Sequence, residues 1–438
     1  MNLQRKIAIA SILLGGLITV AALGSWMFYK SFVAPYFSGP EPPPELKEAR
    51  VIVGTEFLVR SDFYRAGSNS SWLDFRDPDK LKNNLDSIVD VAVGQLDGRP
   101  GLDIGLVGKF GMTLLDTHGN LTKRITYQFA MGKIKVGPFE AEREKDSFSK
   151  LRAVDIESDG VCEILGYDGL DGATVFDHEG RVLFSRGEYA EGKSSIQEVA
   201  AGDIDGDGVL EFVAGWGYES WSGIELFDRY GNSKWKLQED FTPGPFEIVD
   251  LDRDGKAEIV EEDGGTIKVR DVHGKVVSSA EMPVYLWHLS LCPRPGPSGQ
   301  VQNLAVREGS LWLINLDGKN SVKFDAPLSL IKLKMPRRVP RMPGMSNTLE
   351  VDSEEVFRAK GVWFKVKTEQ PEVLGIVARF GSIDRSLFYV YDQQGKLLYH
   401  EILPEECHAI AVLRSEDDGG VDNVLVAGET TVWRYSAR

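Results

Sequence analysis

The chain opens with 22 consecutive uncharged residues, Ile7 to Phe28, and from Arg50 onward changes to short apolar runs separated by acidic and glycine-rich turns. At about 1.5 Å per residue the first run makes a helix of about 33 Å, enough to cross a bilayer core of about 30 Å. Arg5 and Lys6 precede it, and Trp26 and Tyr29 mark its far end. The positive-inside rule then predicts a cytoplasmic N-terminus over 1–6, a transmembrane signal anchor over 7–29 and export of the rest to the periplasm or cell surface. A cleaved signal peptide is the competing reading, with Ala22-Leu23-Gly24 before Ser25 as a small-x-small site. The apolar run is longer than the usual signal core of about 7 to 15 residues. A spacer over 30–49 follows, where Pro35, Pro40, Pro42, Pro43 and Pro44 favour extended polyproline geometry.

Beyond the spacer the pattern repeats. GDIDGDGVLEFVAG from Gly202, VDLDRDGKAEIVEE from Val249 and VDIESDGVCEILGY from Val154 each join two strands through an acidic loop. A third strand then ends in a shared turn: TVFDHEG at Thr174, IELFDRYG at Ile224 and IKVRDVHG at Ile267. Weaker copies lie upstream (QLDGRPGLDIGLVG with TLLDTHG) and downstream (WLINLDG at Trp312, FYVYDQQG at Phe388, and VLRSEDDGGVDNVLVAG with TVWRYS). Each unit reads strand, hairpin loop, strand, strand, turn, strand. Units of about 40 to 50 residues with four strands each predict an all-β fold, a seven-bladed β-propeller over 50–438 preceded by the one transmembrane helix. Two β-sandwiches would not explain one turn recurring in one register. The last unit offers about three strands, so the run RVIVGTEFLV, Arg50 to Val59, is expected to complete it and close the ring.

Composition narrows the function. The chain has 438 residues, 42% of them hydrophobic, and a net charge of −16. That charge excludes nucleic acid as the main partner, since phosphate binding needs a basic surface. The acids concentrate: residues 151–263 hold 28 of them against 9 bases. Cys162, Cys292 and Cys407 fall in different units and form no disulfide framework.

The acidic loops carry the chemistry. Asp203, Asp205, Asp207 and Glu211 occupy positions 1, 3, 5 and 9, with Gly208 at position 6. Calcium takes six to eight oxygens from a loop able to wrap around it, and alternate acids point inward while the residue at position 7 offers its backbone carbonyl. Asp250, Asp252, Asp254 and Glu258 repeat the pattern, as do Asp155, Glu157, Asp159 and Glu163 with a longer acid at position 3. Val209, Lys256 and Val161 supply the position-7 carbonyls. Up to three structural Ca²⁺ ions are therefore expected. Acidic, glycine-rich loops also make good hairpin turns, but three in one register exceed that need.

These residues resemble the FG-GAP and VCBS repeats of the integrin α-subunit propeller, through the D-x-D-x-D-G-x-x-[D/E] loop between two apolar strands. The resemblance implies structural calcium in the loop between the first two strands of a blade. It covers roughly 85–438 as architecture, with the diagnostic motif in three units. Arg99 replaces the position-5 acid in the first unit, the loop Cys292 to Gln300 has no acid, and Lys365 to Val373 lacks the ligand spacing. Asp417, Asp418 and Asp422 lie out of register, so calcium is not carried to these units.

Two further features point to partners. The loops between second and third strands hold Tyr167, Asp168 and Asp171, and Trp216, Tyr218, Glu219 and Trp221. Exposed aromatic and acidic residues suit protein or carbohydrate recognition; packing against neighbouring units is the alternative for each aromatic. A long connection at about 320–360 carries Lys332, Lys334, Arg337, Arg338 and Arg341, a basic stretch suited to lipid headgroups or a membrane subunit; a solvated loop is the other reading. His118, His178 and His273 share one turn and look like turn formers. No nucleophile, zinc or phosphate-loop motif occurs. The sequence therefore predicts a membrane-anchored, extracytoplasmic, calcium-binding protein-interaction module rather than an enzyme. The alternatives are an accessory subunit of a membrane complex and a glycan-binding or polysaccharide-cleaving protein.

Overall fold

The computed structural model describes residues 42–66, 88–108, 111–126, 131–136, 139–144, 150–156, 159–168, 172–186, 195–217, 222–240, 246–252, 254–263, 266–281, 289–293, 301–307, 310–315, 321–328, 357–380, 383–415 and 420–438. Among them no helix is long and apolar enough to cross a membrane. The expected anchor over 7–29 and most of the spacer lie outside the described residues, as does most of the basic insertion.

The described residues are all-β apart from one 3-10 turn at Pro44–Leu46. Antiparallel four-stranded sheets follow one another in chain order. Sheet 1 holds Asp90–Gly94, Asp103–Val107, Gly111–Leu115 and Leu121–Thr126; sheet 2 holds Lys150–Val154, Glu163–Asp168, Gly172–Phe176 and Val182–Arg186. Sheet 3 holds Ser195–Gly202, Glu211–Gly217, Gly223–Phe227 and Ser233–Gln238; sheet 4 holds Phe246–Val249, Glu258–Asp263, Thr266–Arg270 and Val276–Glu281. Sheet 5 holds Leu289–Pro293, Val301–Arg307, Ser310–Asn315 and Ser321–Phe324. Sheet 6 holds Phe357–Phe364, Val373–Phe380, Ser386–Tyr391 and Leu397–Leu403, and sheet 7 holds Cys407–Leu413, Asn423–Gly428 and Thr431–Ala437, completed by Leu58–Arg65. A separate hairpin, Met131–Val136 with Phe139–Glu144, is inserted between sheets 1 and 2, where no unit of the repeat predicts one.

Burial follows strand order. Second and third strands such as DIGLV, GATVF, GIELF and SLFYVY are buried along their whole length, because neighbouring sheets cover both faces. Outer strands such as VLFSR and VVSSAE are largely exposed. First strands of consecutive sheets pack against one another, except that the first strand of sheet 3 packs on the second and third strands of sheet 2; sheet 7 returns to sheet 1, so the arrangement is propeller-like. Arg152 of sheet 2 reaches Glu247 of sheet 4 at 3.3 Å, and Lys360 of sheet 6 reaches Asp90 of sheet 1 at 3.6 Å. Ion pairs that skip a sheet place these first strands around a common axis.

The shared turn between third and fourth strands locks adjacent sheets. In the described copies an Asp oxygen accepts backbone N–H bonds from two and four residues ahead: Asp116 from His118 and Asn120, Asp177 from Glu179 and Arg181, Asp271 from His273 and Lys275. The preceding sheet then donates to a carbonyl of the turn: Lys123 to His178 (3.1 Å), Arg186 Nε to Gly231 (2.7 Å), Trp235 to Val272 (2.9 Å) and Arg434 to Thr117 (3.1 Å). The histidines serve as turn residues.

Closure differs from the expectation in one respect. The run Arg50 to Val59 does not act as one strand. Gly54 turns the chain at φ +77, where a Cβ would stand 2.2 Å from the Leu398 carbonyl oxygen, and Phe57 N–H bonds back to Gly54 O at 2.8 Å. Arg50–Val53 becomes a fifth strand on sheet 6, and Leu58–Arg65 is the strand that completes sheet 7. Glu401, 1% exposed, fastens this closure. Its carboxylate accepts from Tyr399 (2.7 Å), Tyr435 (2.9 Å) and Arg60 of the closing strand.

Candidate metal loops

Each acidic loop hangs between the first and second strands of its sheet, and one hydrogen-bond scheme builds it. The position-9 acid accepts the N–H of position 2: Glu163 from Ile156 (2.9 Å), Glu211 from Ile204 (3.0 Å) and Glu258 from Leu251 (2.9 Å). The position-1 acid accepts from position 6: Asp155 from Gly160 (2.9 Å), Asp203 from Gly208 (3.0 Å) and Asp250 from Gly255 (3.1 Å). The position-5 acid accepts from position 7: Asp159 from Val161, Asp207 from Val209 and Asp254 from Lys256, each at 2.8 Å. Gly208 sits at φ +85, a conformation that L side chains adopt only under strain. Short acids therefore fold the loop onto itself, and at position 1 both oxygens take part: Asp155 accepts from Asp159 and Gly160, and Asp203 from Gly206, Asp207 and Gly208.

Neighbouring loops are stitched into an arc. Cys162 N–H donates to Gln95 O (2.8 Å), Leu210 N–H to Ile156 O (3.5 Å) and Ala257 N–H to Asp203 O (2.9 Å). The acids of sheets 1 to 4 consequently share one rim.

The loops differ in how their oxygens gather. In sheet 4, ligand atoms of Asp250, Asp252 and Asp254 lie within 4.8 Å of one another. In sheet 3 the equivalent group is Asp203, Asp205 and Glu211. In sheet 2, Glu157 lies outside the described residues. The donor set, all carboxylate oxygen on a turn closed by backbone amides, suits a hard divalent cation such as Ca²⁺. A basic side chain already stands where such an ion would: Lys234 Nζ lies 2.9 Å from Asp205 Oδ2 and 2.6 Å from Glu211 Oε1. Its hydrogen bonds hold the Asp205 carboxyl below the usual range, and against the cost of burial they hold its own ammonium above the usual lysine range. In sheet 4, burial pushes the Glu258 carboxyl up, and Asp252 and Asp250 add to the shift.

Sequence reasoning missed three things here. Asp103 and Asp422 make the same position-9 bond in sheets 1 and 7, to Leu96 (3.0 Å) and Ser415 (3.2 Å). Asp422 is thus in register, with Arg414 at position 1 and 3.3 Å away. An acid nine residues after the end of a first strand was the available signal. Lys234 is distant from its loop in sequence and is brought there by the third-to-fourth strand turn. A separate group, Glu406, His408 and Glu429, also lies within 4.8 Å, with Arg379 bonded to Glu406 (2.8 Å) and His408 Nδ1 (2.5 Å). Burial, Arg379 and Lys360 lower the His408 pKa to about 4.

The expected recognition residues fare differently. Tyr167 is 1% exposed and belongs to the core between sheets 2 and 3, with its hydroxyl donating to Glu198. Its strand is covered on both faces, so Tyr167 is not presented to a partner, and burial followed by Glu198 holds its phenol well above the usual range. Trp216 is half-buried against the same core, with Lys236 Nζ 5.7 Å from the ring centroid. Asp168 ends the second strand of sheet 2. Asp171, Tyr218, Glu219, Trp221, Lys332, Lys334, Arg337, Arg338 and Arg341 lie outside the described residues. Cys162 and Cys407 are free thiols in separate sheets.

No protein-family model matches the chain, and no curated protein matches it. Solved structures do. BBS1N, from a mercury-soaked complex with ARL6DN, superposes with a TM-score of 0.51 at 10% identity, covering 80% of this chain and 91% of that one. The fold is a β-propeller. Streptogramin B lyase matches with a TM-score of 0.49 at 10% identity over 87% of this chain and 98% of that one. The WD40 domain of Neurospora crassa Pan2 matches with 0.48 at 9% identity over 86% and 95%. What the propeller shares with these proteins is architecture.

Proposed function

We propose that the chain is a calcium-stabilised, seven-bladed propeller of the FG-GAP/VCBS type, held at the outer face of a membrane by its N-terminal segment and serving as a protein-binding module rather than an enzyme. The observation that carries the calcium reading is the gathering of carboxylates in the same loop of adjacent sheets: Asp203, Asp205 and Glu211 (positions 1, 3 and 9) in one, Asp250, Asp252 and Asp254 (positions 1, 3 and 5) in the next. When bound, calcium would neutralise the acidic rim and tie each loop to its strands. Asp155, Glu157, Asp159 and Glu163 form the third loop of the set, and the carbonyls of Val209, Lys256 and Val161 complete the donors.

The binding-module reading is supported by the propeller fold and by the BBS1N propeller having been captured with a protein, ARL6DN. Export is supported by the uncharged run Ile7 to Phe28 behind Arg5 and Lys6. The test is purification of the tagged full chain from membranes in mild detergent with calcium, followed by metal analysis and identification of stoichiometric partners. Bound calcium together with a defined protein partner supports the reading. A metal-free, solitary chain that stays solitary after crosslinking in intact cells refutes it.

A further inference from the structure

The best sequence match to a calcium motif is the loop where a cation is already built in. We propose that Lys234 is the resident cation of the sheet-3 loop, so that this loop closes without metal and a divalent ion enters it only by displacing the ammonium. The inference rests on the calcium reading and reorders its sites: the sheet-4 loop fills first and the sheet-3 loop last.

Three observations carry it. The first is contact. Lys234 Nζ touches Asp205 Oδ2 at 2.9 Å and Glu211 Oε1 at 2.6 Å, two of the three carboxylates that gather in that loop. The second is stoichiometry of oxygens. Glu211 is 3% exposed and its other oxygen, Oε2, accepts the Ile204 N–H. The Oε1 that a metal would use is the one the lysine holds, and a buried carboxylate gives up a cation only to another cation. The third is register. Lys234 stands six residues beyond the turn acid Asp228; the same position after Asp177 is Leu183 and after Asp271 is Val277, both exposed and apolar. The register position that carries the ammonium in sheet 3 is thus apolar in sheets 2 and 4. Among the described residues no basic side chain pairs with Asp252 or Asp254, which gather with Asp250 in the sheet-4 loop.

Swapping a lysine for calcium costs the loop two ion-pair contacts before the metal gains any. Removing the lysine removes that competition and leaves the carboxylates mutually repelling, which raises affinity for a divalent ion. The sheet-3 site is expected to tighten by at least about tenfold, the size of effect that loss of one close ion pair produces.

The test uses the full chain, stripped with chelator and titrated with Ca²⁺ calorimetrically, with bound ions counted by metal analysis. Asp252→Asn removes the sheet-4 site, and Asp155→Asn added to it removes the sheet-2 site, so that sheet 3 is isolated. In that background Lys234→Met is expected to gain a calcium site and a calcium-dependent melting temperature, while Lys234→Arg, which keeps the charge, leaves the ion count unchanged. Lys234→Gln serves the same purpose should the methionine variant not fold. Equal calcium affinity with and without Lys234 overturns the inference and leaves the calcium reading standing. No calcium binding in the wild type, in Asp252→Asn or in either lysine variant overturns both.

Discussion

His400 offers a quantitative test of the packing between sheet 6 and the N-terminal strand. It is 0% exposed, stacks on Tyr389 with ring centroids 4.5 Å apart, and has no hydrogen-bond partner at either ring nitrogen among the described residues. Burial lowers its pKa from 6.5 to about 4. The folded pKa of this base lies below the unfolded one, so as pH drops from 6.5 towards 4 the unfolded chain takes up a proton that the fold refuses. Stability is lost across that window and the loss levels off below it. Between pH 7.5 and pH 5.0 the linkage amounts to about 2 kcal/mol. Burial raises the carboxyl pKa values of Asp103, Glu258 and Glu261, and these act in the opposite sense, so the comparison is between variants. His400→Phe fills the site, keeps the aromatic stack and removes the titration. Urea unfolding of both proteins at pH 7.5 and pH 5.0 is expected to show the variant at least as stable at the higher pH, with its advantage about 2 kcal/mol larger at the lower. An identical pH dependence of the two proteins refutes a neutral, dry His400.

Other consequences follow from single contacts. Glu401→Ala strands Arg60, Tyr399 and Tyr435 together and is expected to cost about 3–5 kcal/mol in urea unfolding; proteolysis at the released strand Leu58–Arg65 should rise with it. A loss under about 1 kcal/mol contradicts the role given to that carboxylate in closure. Asp422, 4% exposed, accepts from Ser415 (3.2 Å) and from Lys365 of the neighbouring sheet (2.8 Å). Asp422→Ala leaves both amides without their acceptor and is expected to destabilise by about 2–4 kcal/mol with or without calcium. A loss seen only in the presence of calcium would show that the position-9 acid acts through metal instead.

What was legible in the sequence was local. The turn acid with its glycine three residues on, and the acids at positions 1, 5 and 9 of the loops, bond within their own hairpins, so their spacing survives in the chain as a pattern. Wholly apolar second and third strands announced burial on both faces. What was hidden depended on contacts across the fold. Lys234 reaches its loop through a turn, Arg60 meets Glu401 across 341 residues, and the hairpin Met131–Val136 with Phe139–Glu144 breaks the repeat without resembling it. Tyr167 reads as a loop aromatic because it precedes Asp168 and Gly169, yet its ring packs inward and its hydroxyl finds Glu198. The split at Gly54 was also invisible, because an apolar run carries no mark of where its two halves will pair.

The central claim is that the acidic rim holds calcium. Thermal unfolding of the chelator-stripped full chain, with and without saturating Ca²⁺, tests it most directly. At a free ion concentration a hundredfold above Kd, each occupied site adds about 2.7 kcal/mol to the folded state. The account predicts an upward shift of the melting temperature with calcium that is reduced in Asp252→Asn. An unchanged melting temperature at millimolar calcium, with no ion retained on metal analysis, contradicts it.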